Sequence, residues 1–260
     1  MSSLDGSTAA VGTARTGRAQ TGTARTRAAL VTGGSRGIGA AIALRLAREG
    51  ADVAVTYARD EAAAHKVVAE IESTGRRALA LRADAATAVT RTADAFGGLD
   101  ILVSNAGIGV LAPIGDLSAD DLDRTLAVNV REVFLGAQSA AVTLRPGGRI
   151  ISIGSSLAGY VGGPGGTLYA MSKSALTGLT KALARELGGR GITVNAVHPG
   201  PIDTDMNPAD GPYAEPQRAG TALGRFGSRD EVASLVAYLV SEEAAYVTGA
   251  ELVVDGGHAA

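Results

Sequence analysis

The sequence predicts an α/β domain, a doubly wound, seven-stranded parallel sheet with helices on both faces. Three observations carry that expectation. From Ala28 onward, short β-branched runs alternate with longer Ala-rich stretches. A glycine-rich turn joins the first run to the first Ala-rich stretch. Hydrophobic residues make up 46% of the chain but aromatics only 3%, so the apolar share is aliphatic and suits a sheet covered by helices. Alternation of this kind is the repeating unit of a parallel sheet.

Taken in order, the pattern predicts strands near 28–32, 52–57, 77–82, 100–104, 149–153, 192–197 and 251–254. Between them it predicts helices near 37–49, 60–74, 87–96, 118–144, 167–188 and 229–241. The helix beginning at 118 carries its own start signal, Ser118 with Asp121 three residues later, which reads as a capping box. A chain of 260 residues is near the upper size at which one hydrophobic core suffices, so one domain over 28–260 is expected. Residues 1–27, built from Thr, Ala, Gly, Ser and Arg with near-duplicates at 12–17 and 22–27, hold too little apolar surface to offset ordering and are expected to form a disordered tail.

Composition narrows the function. A net charge of -2 lacks the broad positive field of a nucleic-acid binder. With no cysteine and only three scattered histidines (His65, His198, His258), neither disulfides nor a structural metal site is expected. No apolar run approaches the roughly 20 residues that span a bilayer, and the first residues lack a signal-peptide stretch, so a cytoplasmic protein without membrane partners is expected.

Doubly wound sheets bind ligands beyond the carboxyl ends of their strands. The first candidate there is Thr32-Gly33-Gly34-Ser35-Arg36-Gly37-Ile38-Gly39, after a strand and before a helix. Its spacing is G-x-x-x-G-x-G rather than G-x-G-x-x-G. Glycines let backbone approach a pyrophosphate, and a helix N-terminus offers free N–H donors, so the turn reads as the dinucleotide cradle of a Rossmann domain. The second candidate is Tyr169-Ala-Met-Ser-Lys173, whose i to i+4 spacing puts a phenol and an ammonium on one helical face. Thirteen residues before Tyr169 lies Ser156, at the end of the strand Arg149-Ile-Ile-Ser-Ile-Gly-Ser-Ser156. A strand end and an adjoining helix start can bring both hydroxyls to one rim.

These residues resemble the short-chain dehydrogenase/reductase family over essentially all of 28–260. The glycine turn, Ser104-Asn105-Ala106-Gly107, Asn129, Ser156, Tyr169, Lys173 and His198-Pro199-Gly200 occur in the family's order and spacing. The resemblance implies Tyr169 as proton donor, Lys173 as ribose ligand and phenol activator, Ser156 as the hydroxyl that orients the carbonyl, and Asn129 as holder of a relay water. It implies Asp84 as the carboxylate that receives the adenine amine, and Asn105, Ala106 and Gly107 as the loop beneath the adenosine ribose. Gly33, Ser35, Arg36, Gly37, Ile38 and Gly39 would line the pyrophosphate, Pro199, Gly200 and Ile202 would also bind the cofactor, and Thr204 would meet its carboxamide end. Within the family, the chain is similar to bacterial 3-oxoacyl-[acyl-carrier-protein] reductases and ketone reductases. Segments 99–109 and 199–209 are also similar to a bacterial biofilm-dispersal protein that binds cyclic di-GMP, which keeps a nucleotide-binding regulator as the alternative. The family further implies a homotetramer, for which Leu126, Val130, Phe134, Leu176, Leu179 and Leu183 are the candidate apolar contacts.

The chemistry explains the residue types. A carbonyl that accepts hydride develops alkoxide charge, and a positioned acid must supply a proton. Free Tyr has a pKa of about 10; a cation about 4 Å away at an effective dielectric of about 20 is worth roughly 4 kcal/mol, or about three pKa units, so Lys173 is expected to lower the phenol's pKa. The resemblance implies a small carbonyl compound as substrate, and the Pro/Gly-interrupted stretch 199–225 reads as its lid. Met206, Pro212 and Tyr213, with Gly109, Leu111 and Tyr160, are candidate pocket residues. For the cofactor, NADP(H) is expected over NAD(H). The acid that usually holds the ribose 2′-hydroxyl, about 20 residues past the glycine turn, is absent from Thr56-Tyr57-Ala58-Arg59, and Arg59 with Arg36 supplies cations for a 2′-phosphate.

Overall fold

The computed structural model describes residues 25–260; residues 1–24, most of the expected tail, lie outside the described residues. All seven strands join one parallel sheet in the order β3-β2-β1-β4-β5-β6-β7. They are β1 (Ala28–Val31), β2 (Asp52–Thr56), β3 (Ala78–Leu81), β4 (Leu99–Ser104), β5 (Leu144–Ile153), β6 (Thr193–Pro199) and β7 (Glu251–Val254). The helices are α1 (Gly37–Arg48), α2 (Glu61–Glu72), α3 (Ala85–Phe96), α4 (Ala119–Leu126), α5 (Glu132–Thr143), α6 (Thr167–Leu187), α7 (Ala214–Ala219) and α8 (Arg229–Val240). The chain winds outward from β1 to β3, then returns to pair β4 with the other side of β1. That reversal opens a crevice beyond the carboxyl ends of β1 and β4.

The aliphatic bias explains the layers. Strands β1, β2 and β4 are buried along their whole length, which a sheet covered on both faces requires. One face packs Ile42 and Leu46 of α1, Val67 and Ile71 of α2, and Val232, Val236 and Leu239 of α8. The other packs Ala88 and Val89 of α3, Ala140 of α5, and Ala184 and Leu187 of α6. Small residues bring the helices close: a Cβ on Gly136 of α5 would lie 3.0 Å from the Ala85 Cβ of α3. Leu176, expected among the intersubunit contacts, is buried within the subunit at 1% exposure.

Elsewhere the structure departs from the sequence pattern. The helix expected over 118–144 is two helices, α4 and α5, joined by a wide π-helical turn at Ala127–Arg131; the capping box at Ser118 and Asp121 is present. β5 starts at Leu144 rather than at 149, because extended backbone runs through Pro146, where a helix cannot continue. The ordered body also begins before Ala28. Asp100, buried at the amino edge of the sheet, needs donors. It receives them from Arg25 at 2.5 and 3.0 Å, Arg145 at 3.1 Å and the amide of Ala28 at 2.8 Å. Arg27 reaches the carbonyl of Val240 at 2.6 Å. Residues 25–27 therefore belong to the domain. No helix among the described residues is long and apolar enough to cross a membrane.

Candidate active site

The glycine turn after β1 is held open by its neighbours. The Thr32 hydroxyl accepts the amides of Asn105 at 3.0 Å and Ala106 at 3.1 Å, tying β1 to the end of β4. The Asn105 carboxamide donates to the carbonyls of Thr32 and Gly33 at 3.0 and 3.1 Å. Gly33, with a φ of 63°, passes so near Ala106 that a Cβ would stand 2.9 Å from its Cα. Gly37, with a φ of 57°, faces open space in which an added Cβ would meet only the Thr204 methyl, at 3.9 Å. The N-termini of α2, α3, α4 and α8 are capped by the side chains of Asp60, Asp84, Ser118 and Ser228, whereas α1 has no side-chain cap. The first amides of α1 therefore meet no capping side chain, as is also true of α6 and α7.

Beside this turn lies a cleft of about 400 Å³ lined by Gly33, Tyr57, Arg82, Asp84, Ser104 and Ala106, among others. Ser35, Arg36 and Gly37 line a second cleft, toward the lid. Asp84 is held below the usual carboxylate range by the Thr87 amide at 2.8 Å and the Thr87 hydroxyl at 3.0 Å. Arg36 is exposed, 4.0 Å from Asp205, and Arg59 lines neither cleft. The sequence reading missed Arg82. Its signal was the sheet order: β2 and β3 are neighbours in register, Thr56 beside Leu81, so the residue after β3 emerges next to Tyr57. Asp60, which follows Arg59 at the start of α2, accepts the Ala63 amide at 2.9 Å as a helix cap. Ile38 packs against the core and Gly39 against Asn105. Pro199 ends β6, Gly200 abuts Asp255, and the Ile202 side chain is buried at 4% exposure.

At the carboxyl edge of β5 the structure brings a hydroxyl, a phenol and an ammonium together. The serine beside the phenol is Ser155, where the expectation was Ser156. The Ser155 hydroxyl accepts the Leu157 amide at 3.2 Å and is the side chain that draws the Tyr169 phenol's pKa down, while Ser156 enters a short 3-10 turn and its carbonyl accepts the amides of Gly159 and Tyr160 at 3.1 Å each. Tyr169 and Lys173 share one face of α6, with the ammonium 5.8 Å from the ring centroid. Lys173 is buried, donates to the Ile153 carbonyl at 2.9 Å, and has its pKa lowered by that burial from 10.5 to about 8. Burial raises the pKa of Tyr169, and Ser155 opposes it only in part. Lys173 is not among the groups that shift the phenol here, so the lowering expected of it is not seen in this arrangement.

Asn129 sits inside the wide turn at 0% exposure. Its side chain brackets Ile108, accepting the amide and donating to the carbonyl at 2.9 Å each, and donates to Ser172 at 3.0 Å. A Cβ on Gly107 would lie 3.2 Å from Lys173 Nζ and 3.3 Å from Asn129 Oδ1, so both groups converge on one point. The expected pocket residues Leu111, Tyr160, Met206 and Tyr213 are all exposed.

Residues 33–259 match the family model described as enoyl-(acyl carrier protein) reductase. The chain belongs to the short-chain dehydrogenase/reductase family. As a member it is an oxidoreductase. A solved short-chain dehydrogenase from Burkholderia cenocepacia J2315, in complex with NADP, is 56% identical with a TM-score of 0.89, over 90% of this chain and 98% of that one. The cyclic-di-GMP-binding biofilm dispersal mediator protein of Escherichia coli K12 is 45% identical over 89% of this chain and 96% of its own. A 3-oxoacyl-[acyl-carrier-protein] reductase of Synechocystis is 42% identical over 88% of this chain and 95% of its own.

Proposed function

We propose that this short-chain dehydrogenase/reductase is an NADP(H)-dependent carbonyl reductase acting on a ketone or secondary alcohol, with 3-oxoacyl thioesters among its candidate substrates. The observation that carries the reading is the Ser155, Tyr169 and Lys173 constellation at the carboxyl edge of β5. The residues present fit a dinucleotide: Gly33 and Gly37 clear a path for it, and the uncapped start of α1 offers amides to its pyrophosphate. Tyr57, Asp84 and Ala106 line the space for the adenosine end. Bound nicotinamide supplies the hydride to the carbonyl carbon.

The chain's own residues handle the oxygen and the proton. Ser155 donates a hydrogen bond to the substrate oxygen, the part of an oxyanion donor. Tyr169 gives that oxygen its proton; a raised pKa keeps the phenol protonated at neutral pH, the form that reduction needs. Lys173 and Asn129, converging on Gly107, hold the route by which water returns a proton to the phenol. The Tyr57 to Arg59 stretch offers no free carboxylate for a ribose 2′-hydroxyl, which supports preference for the 2′-phosphate.

A ketone and β-ketoester panel followed by NADPH absorbance tests the activity. Oxidation of NADPH with at least one member is expected, and no turnover by a protein that still binds NADPH would overturn it. The similarity to the Escherichia coli mediator protein supports a second reading, a cyclic di-GMP-binding regulator; competition with NADPH at micromolar dissociation constants would favour it. The exposed Leu122, Phe134 and Met171 on α4, α5 and α6 support a homotetramer, which light scattering at micromolar concentration checks. The absence of cysteine and the near-neutral charge support a cytoplasmic site of action without nucleic-acid partners.

A further inference from the structure

Behind Ser155, three strands meet around a buried ring that the proposed chemistry does not use. His198 of β6 is 3% exposed, and its Nδ1 lies 3.3 Å from the Ser155 amide and 3.0 Å from the Ser155 carbonyl oxygen. The ring fills space that Gly154 leaves; a Cβ there would run into it. On the far side, Nε2 makes no hydrogen bond but stands 3.5 Å from Oε2 of Glu251, at the start of β7. Lys181 at 2.8 Å and Thr177 at 2.6 Å hold the Glu251 carboxyl below its usual range. Thr177 and Lys181 continue the stripe of α6 that begins with Tyr169 and Lys173, each four residues after the last.

The contacts therefore close a circuit. It leaves α6 at Tyr169, passes to Ser155, His198 and Glu251, and returns to α6 at Thr177 and Lys181. The Ser155 carbonyl accepts the Ala158 amide at 2.9 Å, whereas the Ser155 amide has no acceptor but Nδ1. A carboxylate beside Nε2 favours the hydrogen on that nitrogen, which leaves Nδ1 as an acceptor. We propose that His198 is a positioning residue: biased by the nearby Glu251 carboxylate toward the Nε2–H tautomer, it accepts the Ser155 amide and thereby sets the Ser155 hydroxyl beside Tyr169. The inference rests on Ser155 being the substrate-orienting hydroxyl. It asks nothing of His198 toward cofactor or substrate.

The test uses the full chain with NADPH and ethyl acetoacetate. His198→Leu should lower kcat by about 30-fold, within the roughly hundredfold that a misplacement of about 1 Å costs, with KM for both partners and the NADPH dissociation constant changed less than about twofold. His198→Asn, whose carboxamide oxygen can accept the same amide, should recover kcat to within about threefold of wild type, and Glu251→Gln should lower kcat by about threefold to tenfold. The 15N resonances of the three histidines give a readout that needs neither turnover nor a folded Leu variant, and the Nε2–H tautomer is expected for His198. An Nδ1–H tautomer, unchanged kcat in His198→Leu, or an Asn variant as poor as Leu would overturn the proposal. A wild type that binds NADPH, shows the expected tautomer and reduces no carbonyl would instead overturn the reductase reading alone.

Discussion

The ammonium of Lys173 donates to the carbonyl of Ile153 at 2.9 Å, so the helix that carries Tyr169 is pinned to the last residue of β5, two positions before Ser155. The bond places a buried cation where water cannot solvate it, and burial lowers its pKa to about 8. In the unfolded chain the same group titrates near 10.5. Between those values the unfolded state holds more protons than the folded one, so stability from this group increases as pH rises from 8 to 10.5. The whole effect is on the order of 3 kcal/mol. Urea unfolding of wild type and Lys173→Met across that range checks it: the wild type should gain on the variant as pH rises.

Replacing Tyr169 by Phe should lower turnover by about a hundredfold to ten-thousandfold while leaving the NADPH dissociation constant nearly unchanged, because the ring packing survives and only the transferable proton is lost. Fluorescence titration with steady-state kinetics separates the two. A variant with more than half the activity would rule out the proton-donor role.

The two adjacent serines give a sharper comparison. Ser155→Ala removes the hydroxyl that acts on the phenol and should lower kcat by about a hundredfold, the cost of one oxyanion donor. Ser156→Ala leaves its backbone bonds to Gly159 and Tyr160 in place and should stay within about threefold of wild type. Equal losses from both would reject the assignment.

Cofactor choice can be divided among three cations. If Arg36, Arg59 and Arg82 recognise a 2′-phosphate, NADPH should exceed NADH in kcat/KM by at least about tenfold, since each charge-assisted contact is worth roughly 1.5 to 3 kcal/mol. The Arg36→Ala, Arg59→Ala double variant and Arg82→Ala should each narrow that ratio. Arg82 lines the adenosine-side cleft and Arg59 lines neither, so among single changes Arg82→Ala should narrow the ratio more than Arg59→Ala. Kinetics with both reduced cofactors decides it, and a ratio untouched by any variant sinks the idea.

Asp100→Ala should destabilise the domain by about 2 to 3 kcal/mol, because it leaves the buried Ala28 amide without an acceptor and frees two guanidinium groups. Thermal unfolding should fall by about 4 to 12 °C. No change would mean that water replaces the carboxylate at no cost.

How far the sequence could be read followed the range of each interaction. Strand and helix identity came from local periodicity, so β1 and α1 lie within a residue or two of the pattern. The wide turn at Ala127–Arg131 left no mark, because the residue it turns inward is the polar Asn129 rather than an apolar position whose spacing could be read. Choosing between Ser155 and Ser156 depends on where the strand ends and the 3-10 turn begins, a matter of boundary rather than composition. Arg25 looked like tail because its partner, Asp100, lies 75 residues away. Arg82 became visible only when β2 and β3 were set side by side.

The wide turn between α4 and α5 also acts as a gear. Each residue added to a regular helix rotates everything after it by about 100°. The five-residue turn advances α5 against α4 by one such step, which points Val133, Gly136, Ala137 and Ala140 inward while Phe134 stays outside. Deleting one residue there would restore an uninterrupted helix yet turn that small-residue face away from Ala85 and release Asn129 from Ile108. The segment should therefore accept substitutions of similar size far more readily than changes in length, and libraries built on this scaffold should hold its residue count fixed between Ser118 and Leu144.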